Sequence, residues 1–123
     1  MAARIAVVGP CASGKSTLVG ALRDAGYDAW SVAQEHSMVA DLWRKQHPDL
    51  LVALDLSLEE LRARRENPVW PAWLLDLQRT RLTHAMEHAD IVIDTDDLTP
   101  ADVTERILSA LGDASATPAD GAS

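Results

Sequence analysis

The sequence predicts a three-layer α/β fold, a parallel sheet of about four strands with helices on both faces. Three observations carry that expectation. Strand-like apolar runs alternate with helix-like segments throughout, which implies right-handed crossovers and parallel strands. Two of the runs, RIAVV at 4–8 and LLVALDL at 50–56, are apolar almost without interruption, the pattern of strands buried on both faces. At 123 residues the chain is long enough for one sheet with helices packed on it and too short for a second lobe.

The elements follow in order. The run at 4–8 is the first strand, and it ends at Gly9. Leu18, Val19 and Leu22 then mark the apolar stripe of a helix over about 14–25, with Gly26 as the residue that terminates it. YDAWSVA, 27–33, reads as the second strand. Met38, Val39, Leu42 and Trp43 recur with helical spacing, so a helix is expected over about 35–46, stopped by His47-Pro48. After the strand at 50–56, Ser57 with Glu60 three residues on is a capping box opening a helix to about residue 66. Asn67-Pro68 breaks it, and Pro71 stands where a first helical residue belongs, so the next helix should run over about 71–89. A short last strand covers 91–93. Thr99-Pro100 with Asp102 opens the final helix, whose stripe is Val103, Ile107, Leu108 and Leu111 and whose end is Gly112. One domain, 1–112, is expected, with DASATPADGAS at 113–123 as a disordered tail that has nothing to bury.

Bulk properties narrow the function. A formal net charge of -8 argues against nucleic acid and anionic membrane as partners, and no run of about eighteen apolar residues could span a bilayer. The single cysteine, Cys11, cannot form an internal disulfide, and no export leader precedes the first strand, so a cytoplasmic location is expected. Of eleven basic residues, five (Arg62, Arg64, Arg65, Arg79, Arg81) fall within 62–81, a concentration that asks for a local use.

The chemistry is carried by GPCASGKSTL, 9–18. Gly9 to Ser16 fits G-x-x-x-x-G-K-[ST] at every fixed position, after a buried strand and before an amphipathic helix, which is the context this phosphate-binding motif (Walker A, the P-loop) requires. The amides of Cys11, Ala12, Ser13, Gly14, Lys15 and Ser16 can point at a β-phosphate, helped by the helix N-terminus. Gly9 and Gly14 allow the close approach of the backbone. Lys15 can reach β and γ oxygens, Ser16 can offer its hydroxyl to Mg²⁺, and Thr17 is next in line for the α-phosphate. Cys11 is either an inert small loop residue or a redox-sensitive one. Neither the Asn-Lys-x-Asp nor the Asp-x-x-Gly signature of guanine-nucleotide proteins occurs, which leaves ATP as the expected nucleotide.

With these residues in place, the chain resembles the small P-loop kinases of the nucleoside monophosphate kinase and shikimate kinase type, within the P-loop NTPase-like fold. The resemblance rests on GPCASGKSTL, on LVALDLSLEELRARR (52–65) and on ADIVIDTDDLTPADVTERIL (89–108), roughly half the chain. It implies ATP-dependent phosphoryl transfer to a small acceptor. It also implies that the helix after the third strand carries lid arginines, with a lid-like segment at about 62–81, and that the loop holding Asp94, Asp96 and Asp97 lies beside the adenine. Arginines brought in by a closing lid would stabilise the charge spread over the transferred group. Arg62 and Arg65, three apart on one helical face, are the first candidates; Arg64 and Arg79 are the second, as nucleotide contacts. The alternative for each is a solvated face paired with Glu59, Glu60, Glu66 or Asp76. Trp70 and Trp73 could stack on a base or acceptor, or anchor a hinge or a homodimer contact.

The sequence departs from the kinase pattern where a strand with a terminal acid should stand beside the P-loop strand. The segment 27–33 must take that place, which makes Glu35 the substitute carboxylate, as Mg²⁺ ligand or general base, with Asp55 as runner-up. The alternative for Glu35 is a first-turn acid favoured by the helix dipole. The acceptor region is shortened too, so the acceptor cannot be named beyond a small hydroxyl-bearing molecule. His36 is either a contact to that acceptor or a surface histidine; His84 and His88 are either two metal ligands or a solvated helix face. A kinase is the first reading, with an ATP-binding regulatory module without chemistry, or a weak ATPase, as alternatives.

Overall fold

The computed structural model describes residues 3–122, with side chains described for 3–112. Strands β1 (Arg4–Val8), β2 (Asp28–Ser31), β3 (Leu50–Asp55) and β4 (Ile91–Asp94) form one all-parallel sheet in the order β2-β1-β3-β4. Helices α1 (Lys15–Asp24), α2 (Leu58–Arg65), α3 (Ala72–His88) and α4 (Pro100–Ala122) connect and cover it. The fold is thus the expected α/β one, with β2 directly beside β1.

Alternation along the strands sorts the core into two layers. Ile5 and Val7 of β1 with Val52 and Leu54 of β3 face α1 and α4, which contribute Leu18, Val19, Leu22, Val103, Ile107 and Leu111. Ala6, Val8, Leu51 and Ala53 face the other way, against Leu82 and Ala85 of α3 and against Trp43. Both central strands are covered twice, which is why they read as unbroken apolar runs. A third, smaller cluster of Leu56, Leu61, Trp70 and Leu75 seats α2 and the start of α3 just past the end of β3. Trp70 is therefore an apolar anchor, whereas Trp73 is 65% exposed. Among the described residues, no helix is long and apolar enough to cross a membrane.

The helix ends follow local chemistry. At the end of α1, Tyr27 N donates to Leu22 O and Gly26 N to Arg23 O, with Gly26 at φ 96, the left-handed closure glycine permits. Ser57 Oγ accepts from Glu60 N at 3.1 Å and opens α2. The same closure recurs after α2, but the residue at φ 52 is Glu66. Thr99 and Asp102 form a reciprocal capping box: Asp102 N donates to Thr99 Oγ1 at 3.1 Å, and Thr99 N to Asp102 Oδ2 at 3.0 Å. The Thr99 amide on the carboxylate, and after it the Thr99 hydroxyl, hold the Asp102 carboxyl below its ordinary range. The α4 backbone runs past the expected end at Gly112, to Ala122, and among the residues with described side chains its buried stripe is Val103, Ile107 and Leu111. The expected tail, 113–123, lies outside the residues with described side chains.

The helix expected over 35–46 is not formed. In its place are two short 3-10 turns, Gln34–His36 and Leu42–Arg44, separated by extended backbone at Ser37. The cause is Gln34, whose side chain is fully buried: Nε2 donates to Val39 O at 2.6 Å and Oε1 accepts from Trp43 N at 3.0 Å. Ser37 Oγ also accepts from Val39 N. Side chains thereby take the backbone groups a helix would have paired. Of the supposed stripe only Trp43 is buried, and Met38 is 90% exposed. Strand β2 is also shorter than expected, although Val32 N extends its ladder to Val7 O at 2.9 Å.

Candidate functional site

The chain leaves β1 at Val8 and enters α1 at Lys15 through the loop 9–14, where close packing explains Gly9 and backbone conformation explains Gly14. A Cβ on Gly9 would lie 2.6 Å from Ser13 Oγ and 2.9 Å from Leu54 O, so only glycine fits against β3 there. Gly14 lies at φ 96 immediately before the first turn of α1. Ala12 is also left-handed, at φ 62, without glycine's freedom, a conformation costing about 1–2 kcal/mol. A loop that runs into a helix N-terminus in this way can hold an anion. Ser16 and Thr17, in the exposed part of the first turn, can offer hydroxyls to it or to a metal ion beside it.

Lys15 turns back over the loop. Its Nζ donates to Gly9 O at 2.7 Å, to Pro10 O at 3.2 Å and to Glu35 Oε2 at 2.6 Å. The Lys15 and Glu35 side chains are 14% and 5% exposed, so the ion pair is largely shielded from water. Glu35 thus stands beside the loop, carried by the 3-10 turn after β2, and the helix-dipole alternative falls with the helix. Its Oε1 is buried and has no hydrogen-bond partner, and Ser13 Oγ shares that condition. Asp55 lies at the end of β3, where its Oδ1 accepts from Leu56 N at 2.9 Å and sits 3.5 Å from Arg79 Nε.

Of the arginines, Arg64 reaches the loop. Its Nη1 donates to Ala12 O at 2.9 Å, its Nη2 to Thr95 O at 2.7 Å and its Nε to Glu60 Oε1 at 3.0 Å. Arg62 turns away and donates to Trp70 O at 2.9 Å, closing the turn between α2 and α3, and Arg65 is exposed. Arg62 and Arg65 do share a face, as their spacing predicts, but it is not the face turned to the loop. Arg79 donates to Leu56 O at 2.7 Å. Beside Arg64 opens a cavity of about 360 Å³, walled by the loop, Thr17, Leu98, Pro100 and Val103.

Two site residues escaped sequence reasoning. Gln78, on the buried side of α3, accepts from Cys11 N at 2.9 Å and donates to Cys11 Sγ at 3.1 Å, tying the loop to the far layer. A polar residue in phase with Leu75, Leu82 and Ala85 was the available signal. Thr95, fully buried, joins Asp55 O, through its N and Oγ1, to Arg64. Asp96 is engaged by Ser57 N at 2.7 Å. His84 Nδ1 accepts from the Trp43 indole at 3.1 Å and so braces α3, while His88, its ring stacked on His84 at 4.1 Å, is exposed as a solvated face would have it. His36 is exposed beside Glu35. A scan against models of known protein families finds no match to the chain, and a search among curated proteins finds none.

Proposed function

We propose that this chain is a small-molecule kinase of the P-loop type, which binds Mg-ATP on the loop 9–16 and transfers its γ-phosphoryl group to a small hydroxyl-bearing acceptor. The observation that carries the reading is the shielded Lys15–Glu35 pair at the mouth of a glycine loop that leads into a helix N-terminus. A cation for phosphate and a carboxylate for Mg²⁺ or a proton stand in one place. The fit to the nucleotide rests on the unpartnered Ser13 Oγ and Glu35 Oε1 beside the loop.

In this reading the amides of Cys11, Ala12, Ser13, Gly14, Lys15 and Ser16 hold the β-phosphate, and Thr17 holds the α-phosphate. Lys15 exchanges its carbonyl partners for phosphate oxygens. Ser16, with Glu35 or Asp55, would hold Mg²⁺, which when bound supplies charge to neutralise the phosphates. Glu35 takes the proton of the acceptor hydroxyl as the acceptor oxygen bonds to the γ-phosphorus and the bond to the ADP oxygen breaks. Arg64 lines the cavity of about 360 Å³, which is of a size for part of a nucleoside and continuous with the loop. Arg62 and Arg65 would contribute only after a movement of α2, and Arg79 only by leaving Asp55 and Leu56 O. A cytoplasmic protein is the matching compartment, and the exposed Trp73 would suit a homodimer contact.

The test is phosphorus NMR with Mg-ATP and a pooled panel of nucleosides, sugars, amino alcohols and hydroxy acids, with Lys15→Ala as blank. A phosphate-ester resonance growing with ADP is the expected result. ADP with free phosphate alone would make the protein a weak ATPase. ATP that shifts on binding but stays intact would leave the second reading, an ATP-binding regulatory module. The short connection between β2 and β3, which leaves little chain for an acceptor site, favours that reading.

A further inference from the structure

The loop and the turn after β2 meet in a second way that phosphate binding does not use. Cys11 Sγ, a carboxylate oxygen of Glu35 and a ring nitrogen of His36 all lie within 4.8 Å of one another. We propose that Cys11, Glu35 and His36 form a site for one soft divalent cation of the zinc class, at the edge of the loop. A thiolate and an imidazole select such ions over Mg²⁺ or Ca²⁺, which take oxygen ligands. Three protein ligands leave a fourth tetrahedral position to solvent or to an anion.

A second observation concerns the same carboxylate. Glu35 is 4% exposed, yet its Oε1 is buried with no partner, an arrangement that burial penalises unless something completes it. A cation taken on that oxygen would complete it while Oε2 keeps Lys15. Gln78 Nε2, donating to Cys11 Sγ at 3.1 Å, is the outer contact that orients a sulfur ligand. The His36 side chain is 59% exposed, which gives the ion a way in. As the sulfur–metal bond forms, the Cys11 thiol releases its proton to solvent; His36 binds as neutral imidazole and Glu35 as carboxylate. Lys15 Nζ, 2.6 Å from Glu35 Oε2, opposes the ion, as does the Arg81 guanidinium, whose Nη1 is 3.5 Å from Glu35 O.

This inference does not rest on the nucleotide reading, and one variant separates the two. Removing the Lys15 ammonium should weaken nucleotide binding but tighten zinc binding, by about tenfold or more for a charge only a few ångströms away. The experiment titrates the whole metal-free chain with Co²⁺ as the visible probe, then displaces it with Zn²⁺. One Co²⁺ per chain is expected, with thiolate-to-cobalt charge-transfer absorption that Cys11→Ser abolishes. His36→Ala, at an exposed position, should weaken binding about tenfold or more, with unchanged far-UV circular dichroism. Failure to saturate, absorption that survives Cys11→Ser, or affinity unmoved by His36→Ala or Lys15→Ala would each overturn the site.

Discussion

The Lys15–Glu35 pair gives a prediction whose size follows from its partners. Remove the lysine, as Lys15→Met, and the Glu35 carboxylate stays behind at 5% exposure with neither oxygen bonded. Its Oε1 has no partner already, and its Oε2 keeps only His36 Nε2, at 3.9 Å, beyond hydrogen-bond length. Stranding one member of a buried pair costs about 3–5 kcal/mol. Remove the carboxylate charge instead, as Glu35→Gln, and Lys15 still donates to Gly9 O at 2.7 Å and Pro10 O at 3.2 Å. That loss is one charge-assisted hydrogen bond, about 1.5–3 kcal/mol. The double variant strands no charge, so it should be more stable than the sum of the singles implies, by about 1–3 kcal/mol. Urea unfolding followed by tryptophan fluorescence and far-UV circular dichroism measures all four chains, without nucleotide or divalent metal, since either would add its own stabilisation. Additivity within about 0.5 kcal/mol, or Lys15→Met costing no more than Glu35→Gln, would refute the pair as a coupled, shielded contact.

Two further predictions concern the helix ends. Glu66 closes α2 at φ 52, where a side chain is strained and glycine is not, so Glu66→Gly should raise stability by about 1 kcal/mol, read as a shift of the urea midpoint at constant slope. The capping box gives α4 a dependence on acid: the folded-state pKa of Asp102 is depressed, so its contribution is fully present above the ordinary value of 3.8 and is lost as pH falls through the lower folded value. Unfolding of the native chain and of Asp102→Asn, compared from neutral pH downward, should therefore show a gap that narrows below 3.8. A gap independent of pH would mean that the carboxylate charge plays no part in the cap.

The elements whose residues speak for themselves locally were legible in the sequence. The runs at β1 and β3, the caps at Ser57 and Thr99 and the closing Gly26 depend on near neighbours, and each stands where its pattern put it. The segment 35–46 was not legible, because its helical spacing competes with a residue just before it. Gln34 takes its bonds from Val39 and Trp43 where α3 packs against its turn, with Arg81 O 3.5 Å from Nε2, a fact that no local window contains. The arginines divide the same way. Spacing told correctly which of them share a face, but which face meets the loop depends on how Leu61 seats α2 against Leu56, Trp70 and Leu75. That packing turns Glu60 and Arg64 inward, and their separation of four residues was the trace of it in the chain.

The loop conformation is consequently a property of the whole fold rather than of its own residues. Three elements grip it: α3 through Gln78 on the Cys11 amide, α2 through Arg64 on the Ala12 carbonyl, and the turn after β2 through Glu35 on Lys15. Each contact involves a group that phosphate binding would also claim or disturb, namely a loop amide, a loop carbonyl and the loop ammonium. An anion arriving at the loop must therefore compete with these contacts, and what it displaces is connected to both sides of the sheet. Arg64 can serve both. Its three nitrogens are engaged with Glu60, Ala12 and Thr95, so in this state it braces the loop. Nη1 and Nη2 each keep a second N–H beside the cavity, so a bound phosphoryl group can use that charge while the Ala12 and Thr95 carbonyls stay held.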